Sequence, residues 1–343
     1  MTRRHRTTCA VLGDGGWGTT LAIHLHRLGH RVSLWGAFPA ELALTARSRH
    51  NRRYLPGVRI PPGVCLTPDL DSALAGAGLV VLAVPSQYVR GVLSRVPHAE
   101  RNVSRVWLSV AKGLEIRTGM RMSQVLGEAT GNPAGIAVLS GPSIAIDVAR
   151  GRPVSVVAAA SRENTARRVQ RWFAGRQFRV YTTTDVPGVE LGGALKNPIA
   201  IAAGIGDGLD LGPNAKAALI TRGIVEMARL GVVLGARQET FWGLSGLGDL
   251  VTTCLSGRNR WLGEQIGLGA PLASILRSTP MVIEGVDTSR AVMRLARARR
   301  LELPIIAEVE AILFRGRTPR SALRRLMQRE GRPEQFYLRV RRR

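Results

Sequence analysis

The chain has 343 residues, and the 45% that are hydrophobic are enough to bury a large core and to form two domains. No apolar run approaches the about 18 residues that a membrane-spanning helix needs, and the apolar stretch after the basic N-terminus is too short for a signal peptide. We therefore expect a cytoplasmic protein in which Cys9, Cys65 and Cys254 are free thiols, and we predict no metal site.

The net charge of +25 at pH 7 is extreme, and its densest stretch runs from Arg315 to Arg343. Such a charge could serve nucleic acid, a membrane surface or the steering of an anionic substrate. Arginine-rich composition explains the same charge without any partner, and neither zinc-finger spacing nor an aromatic RNA-binding motif accompanies it. Nucleic-acid or membrane contact through the basic surface is therefore the less favoured interpretation.

A short β-prone run from Thr8 to Leu12 leads into glycines at positions 13, 15 and 18, then a helical pattern, and then a second strand from Arg31 to Trp35. This is a strand–helix–strand unit with the spacing Gly-x-Gly-x-x-Gly. The first glycine allows a tight turn, the second lets a pyrophosphate approach the backbone, and the third packs the helix against the strand. The pattern predicts a dinucleotide at the helix N-terminus, although a ligand-free turn has the same sequence pattern.

The acid that usually accompanies an NAD site is missing. An Asp or Glu at the end of the second strand normally binds the ribose hydroxyls, whereas Trp35 is followed here by Gly36, Ala37 and Phe38. No arginine stands at that point to hold the extra phosphate of NADP. The sequence therefore leaves NADH and NADPH open.

Further strands alternate with helical stretches as far as position 186, and the pattern is purely helical after it. We predict an α/β Rossmann-like doubly wound N-terminal domain in residues 1–186 and an all-α C-terminal domain in residues 187–343. The predicted strands are 79–84, 105–110, 136–139, 154–159 and 178–181, and the predicted helices include 163–173, 217–230, 288–299 and 305–313.

Only three of the 49 basic residues are lysine: Lys112, Lys196 and Lys216. Unlike arginine, lysine can release a proton inside a protein, so a lysine in an arginine-rich chain is a candidate for proton transfer or for binding a carbonyl or phosphate. Lys112 follows a predicted strand, near the loop that contains Gly141 and Ser143, at the sheet edge where ligands bind. None of the six histidines lies in these segments, which argues against a histidine-based dehydrogenase.

Asp249 lies in a glycine-rich apolar segment, where a carboxylate is costly unless it is paired. We predict a pair with Lys196, while a turn or helix-cap role is the alternative. Arg258 and Asn259 supply donors suited to a phosphate, although Arg258 could also be an ordinary solvated arginine.

Over nearly its whole length the chain resembles the NAD(P)-dependent sn-glycerol-3-phosphate dehydrogenases of the bacterial type. The resemblance rests on several blocks in the right order, which are more specific together than any one alone. They are the segments 13–19 (GDGGWGT), 111–115 (AKGLE), 140–142 (SGP), 191–197 (LGGALKN), 214–223 (NAKAALITRG), 246–250 (GLGDL) and 258–260 (RNR).

The resemblance implies roles for individual residues. Lys196 corresponds to the general acid/base that exchanges a proton with the C2 oxygen, and Lys112 to a residue that touches substrate and cofactor. Asn197 and Asp249 correspond to residues that support the lysine and the substrate. Substrate positions are Lys112, Gly141, Ser143, Lys196, Asp249, Gly257, Arg258 and Asn259. Cofactor positions are Gly13, Gly15, Gly16, Trp17, Gly18, Lys112, Ala145, Arg258, Val282 and Glu284.

The chain departs from the family at three positions. Gly16 stands where many relatives have serine, Gly257 replaces a common serine after a shortened loop, and Lys216 is often arginine in relatives, so we interpret Lys216 as structural or electrostatic. Relatives also often carry a polar or basic residue near Ala37.

The expected activity is the reduction of dihydroxyacetone phosphate to sn-glycerol 3-phosphate for glycerophospholipid synthesis, with NADPH or NADH, by a homodimer. The alternatives are a related hydroxy-acid or sugar-phosphate dehydrogenase with a Lys-Asn pair, and a dinucleotide-binding protein whose charge serves an anionic partner.

Overall fold

The computed structural model describes residues 6–97, 100, 105–331 and 334. The chain divides into two compact units, one made of Met1–Glu115 and Met120–Glu190, the other of Ile116–Gly119 and Leu191–Arg343. The basic residues from 335 onward, which the sequence singled out, lie outside the described residues.

The first unit is built on one eight-stranded sheet with the order β3-β2-β1-β4-β5-β6-β7-β8. Its first six strands are parallel and have the order typical of a dinucleotide-binding fold, with the reversal of strand order between β1 and β4. β7 runs antiparallel to β6 and parallel to β8. The strands are β1 Thr8–Leu12, β2 Arg31–Trp35, β3 Val64–Thr67, β4 Leu79–Leu82, β5 Val106–Ser109, β6 Ile136–Ser140, β7 Val154–Ala160 and β8 Phe178–Thr183.

Helices cover both faces of this sheet, so its central strands β4 and β5 are buried on both sides. Cys9 and Val11 of β1 join the core on one face, while Ala10 and Leu12 join the core on the other, as expected for alternating side chains. The α-helices that the described residues form in this unit are α1 Gly16–Arg27, α2 Pro39–Ser48, α3 Leu70–Leu74, α4 Val89–Ser94, α5 Met122–Thr130, α6 Ala145–Ala149 and α7 Glu163–Phe173. The predicted Rossmann-like domain is confirmed.

The second unit is helical in the part of the chain that is described. Its core is formed by aliphatic residues such as Ile201, Leu262 and Val309, which come from different helices. The helices are α8 Val186–Gly208, α9 Gly212–Val233, α10 Asp249–Leu255, α11 Arg258–Gly267, α12 Leu272–Ser278, α13 Glu284–Ala298, α14 Pro304–Phe314 and α15 Pro319–Met327. No helix among the described residues is long and apolar enough to cross a membrane.

Glu226 of α9 is a buried acid that holds the start of α14. Its two carboxyl oxygens accept hydrogen bonds from the backbone amides of Ile305 and Ile306 at 2.7 and 3.2 Å. These amides belong to the first turn of α14, where a helix has no acceptor of its own. Burial outweighs these hydrogen bonds and raises the pKa of Glu226 to about 7.

We expect Glu226→Gln to remove a pH dependence of stability. The folded-state pKa of about 7 lies above the ordinary 4.5, so between these values the folded protein keeps a proton that the unfolded chain releases. The group therefore favours folding below pH 4.5, and its contribution is lost as the pH rises through 7. Urea unfolding of both proteins should show the wild type losing about 2 kcal/mol relative to the variant between about pH 5 and about pH 8. Parallel pH curves for the two proteins would contradict this assignment.

Candidate active site

The glycine-rich turn after β1 is built so that two of its glycines cannot be replaced. Gly13 has φ +116°, and a Cβ there would lie 2.9 Å from the backbone of Ala83. A Cβ on Gly18 would lie 1.9 Å from the carbonyl oxygen of Gly13, so the absence of a side chain lets α1 pack against the turn. A Cβ on Gly15, by contrast, would meet nothing within 4 Å. The turn is therefore closed on the protein side and open at Gly15.

This opening fits the phosphates of a dinucleotide. Gly15 is the N-cap of α1, and the first amides of a helix have no acceptor within it. The helix dipole and these amides favour an anion at the helix N-terminus. Gly15 and the first turn of α1, including Gly16 and Trp17, would hold the pyrophosphate.

Two side chains that the sequence analysis missed, Asn51 and Thr20, fix this turn through three hydrogen bonds. The side chain of Asn51 donates to the carbonyl oxygen of Asp14 at 2.6 Å and to Thr19 Oγ1 at 3.0 Å. Thr20 Oγ1 donates to the carbonyl oxygen of Ala145, the first residue of α6, at 3.1 Å. Asn51 lies on a loop far along the chain from the turn, and no local sequence pattern identifies it.

The same loop explains why position 16 is glycine. A Cβ on Gly16 would lie 2.5 Å from the carbonyl oxygen of Tyr54. A serine at this position would therefore require the loop to move. The close approach of the Tyr54 backbone thus accounts for glycine at position 16, where many relatives have serine.

Lys112 lies in the loop after β5 and reaches the loop after β6. Its Nζ donates to the carbonyl oxygen of Gly141 at 2.9 Å and to Ser143 Oγ at 3.2 Å. Gly141 has φ +138°, and a Cβ there would lie 3.0 Å from Val156 Cα, so only glycine suits this turn. The first unit thus brings Lys112, Gly141 and Ser143 together at the carboxyl ends of β5 and β6, as predicted.

In the second unit Lys196 and Asp249 form a buried ion pair. Lys196 Nζ lies 2.8 Å from Asp249 Oδ1, and their side chains are 7% and 3% exposed. Thr253 Oγ1 accepts a second hydrogen bond from Lys196 Nζ at 2.7 Å and itself donates to the backbone oxygen of Asp249 at 2.7 Å. The predicted pairing of Lys196 with Asp249 is confirmed, and Thr253 is an addition that the sequence analysis did not include in the site.

The glycines around Asp249 allow its segment to pack closely. Leu244–Gly248 forms one turn of π-helix immediately before α10, a feature frequent at functional sites. A Cβ on Gly246 would lie 2.1 Å from the carbonyl oxygen of Phe241, and one on Gly192 would lie 2.7 Å from that of Ser245. Close backbone packing thus fixes the start of α10 beside α8, which carries Lys196.

A hydrogen-bonded chain of amides links Asn197, the residue after Lys196, to α13. Asn259 donates to Asn197 Oδ1 at 2.9 Å, and Asn259 Oδ1 accepts from the backbone amide of Gly285 at 3.0 Å. Arg258, exposed at the start of α11, donates to the carbonyl oxygen of Val282 at 2.9 Å. The second unit therefore gathers the predicted residues Asn197, Asn259, Arg258 and Val282, with Gly257 preceding α11 and Glu284 beginning α13.

The third lysine is engaged in an ion cluster. Lys216 Nζ lies 2.6 Å from Asp207 Oδ1, and Arg260 Nε lies 2.6 Å from Asp207 Oδ2. One carboxylate thus holds two cations, and this arrangement agrees with an electrostatic role for Lys216.

The two buried cysteines and two of the histidines have structural surroundings. Burial raises the pKa values of Cys9 and Cys254 to about 12, so both remain neutral thiols. His24 and His30 contact the backbone oxygens of Phe173 and Trp172 at the end of α7, a structural arrangement. Among residues 6–97, 100, 105–331 and 334, no cluster of three metal-ligating side chains occurs.

The comparisons with known proteins agree along the chain. The family model described as the N-terminus of NAD-dependent glycerol-3-phosphate dehydrogenase matches residues 8–166, and the model of the C-terminus matches residues 185–324. A glycerol-3-phosphate dehydrogenase (NAD(P)+) of Chlorobium limicola is 48% identical over 95% of this chain and 99% of its own. One of Salinibacter ruber is 47% identical over 96% of this chain and 98% of its own.

A solved structure supports the same assignment. The crystal structure of glycerol-3-phosphate dehydrogenase from Coxiella burnetii is 36% identical, has a TM-score of 0.89, and covers 94% of this chain and 99% of its own. A ketopantoate reductase from Ralstonia eutropha, 16% identical with a TM-score of 0.58, shares the fold alone.

Proposed function

This chain belongs to the family of NAD-dependent glycerol-3-phosphate dehydrogenases, and we propose that it reduces dihydroxyacetone phosphate to sn-glycerol 3-phosphate. It is an NAD(P)-dependent oxidoreductase that uses NADH or NADPH. The observation that carries the reaction is the buried Lys196–Asp249 pair, because it places an acid able to transfer a proton on a fixed carboxylate.

Lys196 is the proton donor in this proposal. The dihydronicotinamide, when bound, supplies a hydride to C2 of the ketone, and the C2 oxygen then needs a proton. The ammonium of Lys196 donates that proton as the alkoxide forms. Asp249 and Thr253 each accept a hydrogen bond from Nζ, so they hold the ammonium in one orientation before the reaction.

The other residues bind and orient the substrate. Lys112, fixed by Gly141 and Ser143, provides a positive charge toward the developing alkoxide. Asn197 and Asn259, which are hydrogen-bonded to each other, position the substrate, and Arg258 at the start of α11 binds the phosphate end.

We also propose that the protein is a cytoplasmic homodimer and that its product enters glycerophospholipid synthesis. A hydroxy-acid or sugar-phosphate substrate is the alternative, but the family matches support the glycerol-3-phosphate activity.

The test is the decrease of NADH and of NADPH absorbance with dihydroxyacetone phosphate and the purified chain. We expect rapid oxidation that depends on the phosphorylated ketone and is absent with dihydroxyacetone alone. A protein that binds the dinucleotide but oxidises it only with a different ketone would contradict the proposed substrate.

A further inference from the structure

The end of β2 lacks the usual ribose-binding acid, but a carboxylate from the glycine turn lies there. Gly36 follows Trp35, the last residue of β2. A Cβ on Gly36 would lie 2.7 Å from Asp14 Oδ2 and 2.8 Å from Asp14 Cγ. The Asp14 carboxylate therefore occupies the space in which a side chain at position 36 would begin.

The backbone of Asp14 is held from two sides. Its carbonyl oxygen accepts hydrogen bonds from Asn51 Nδ2 at 2.6 Å and from Thr19 Oγ1 at 3.1 Å. Both hydrogen bonds are partly buried, so they fix the position of the Asp14 backbone. From this fixed backbone the side chain extends toward the end of β2, where Gly36 has no side chain.

The charges around the Asp14 carboxylate do not neutralise it in the described part of the chain. Within the described part of the chain, Asp14 takes part in no ion pair, while Glu41 contributes a second acid nearby. Burial, and to a smaller extent Glu41, raises the pKa of Asp14. Arg53 pairs with Glu41 at 2.5 Å and lies over the Tyr54 ring, 5.1 Å from its centroid, while Arg95 lies over the Trp35 ring, 5.3 Å from its centroid.

We propose that Asp14 replaces the missing acid of β2, accepts a hydrogen bond from the 2′-hydroxyl of the adenosine ribose, and makes this chain prefer NADH to NADPH. The inference rests on the proposed dinucleotide-dependent function and deepens it. A hydroxyl donates to the carboxylate, whereas the 2′-phosphate of NADPH offers no donor and is repelled by the charge of Asp14. The cofactor choice left open by the residues after Trp35 is thus made by a residue of the glycine turn.

Calorimetric titration of the full chain tests this with four probes: NADH, NADPH, ADP-ribose and 2′-phospho-ADP-ribose. We expect the wild type to bind NADH and ADP-ribose about tenfold more tightly than their 2′-phosphorylated forms. Asp14→Ala should weaken the binding of NADH and ADP-ribose and strengthen the binding of the two 2′-phosphorylated probes. The ratio of the two affinities should then approach one. Asp14→Asn, which keeps an acceptor but removes the charge, should mainly strengthen the phosphorylated probes.

Glu41→Gln is the matched control, because it removes one negative charge from the same region and leaves Asp14 in place. If the hydroxyl contact is direct, this variant changes NADH affinity less than Asp14→Ala does. Tighter binding of NADPH by the wild type, an unchanged ratio in Asp14→Ala, or equal effects of Asp14→Ala and Glu41→Gln would each overturn the proposal. The titration measures binding without turnover. The affinity ratios can therefore be interpreted even if the chain does not reduce the proposed ketone.

Discussion

Lys196→Arg is expected to lower kcat for ketone reduction by about 10²–10⁴-fold while dinucleotide affinity stays within about twofold of the wild type. Arginine retains the positive charge that Asp249 needs, but it does not release a proton in proteins. A loss of kcat in this variant therefore reports the loss of proton donation, because the positive charge is retained. Steady-state kinetics with dihydroxyacetone phosphate, together with calorimetric titration of the cofactor, measures both quantities.

Two further variants separate chemistry from folding. Lys196→Met alone leaves Asp249 buried without its cation, which costs about 3–5 kcal/mol, so an inactive protein could simply be unfolded. Lys196→Met combined with Asp249→Asn removes both charges and should restore stability without restoring turnover. Thermal unfolding verifies the fold of each protein. A Lys196→Arg enzyme with near wild-type kcat would show that Lys196 is not the proton donor.

The parts of the fold that were predictable are those with strong local periodicity. The run Glu163–Phe173 was predicted as a helix and is one, and the continuous apolar runs of β1 and β4 were predicted as strands. The sequence analysis missed β3, Val64–Thr67, because only its first residue is fully buried and it lies at the sheet edge. The antiparallel direction of β7 was also not predicted, since strand direction depends on tertiary connections.

Site contacts were predictable where a buried charge needs a partner of opposite charge. They were not predictable where the contact joins residues far apart in the chain. A carboxylate at Asp249 in an apolar segment requires a cation, and the structure pairs it with Lys196. Asn51 has no such signal, because its contact with the glycine turn joins two distant parts of the chain. The expected family is confirmed by the comparisons, whereas the roles of the individual site residues remain predictions until variants are measured.

Gly15→Ala and Gly18→Ala are expected to differ in stability, although both add one methyl group to the same turn and both weaken NADH binding. Gly15 has φ −62°, which alanine adopts freely, and its added Cβ meets no protein atom within 4 Å. This variant should fold with unchanged stability and bind NADH at least about tenfold more weakly, because the methyl group stands where the pyrophosphate approaches the backbone.

In Gly18→Ala the added Cβ would lie 1.9 Å from the Gly13 carbonyl oxygen, so α1 must move away from the turn. We expect a loss of about 1–3 kcal/mol in the free energy of unfolding, and weaker NADH binding as its consequence. Gly91→Ala is the control for a helical glycine with no neighbour within 4 Å, and it should be neutral or stabilising by up to about 1 kcal/mol. Urea unfolding and NADH titration of the three variants decide the matter: if Gly15→Ala binds NADH normally, the dinucleotide does not approach the turn at Gly15, and the cofactor site must be assigned elsewhere.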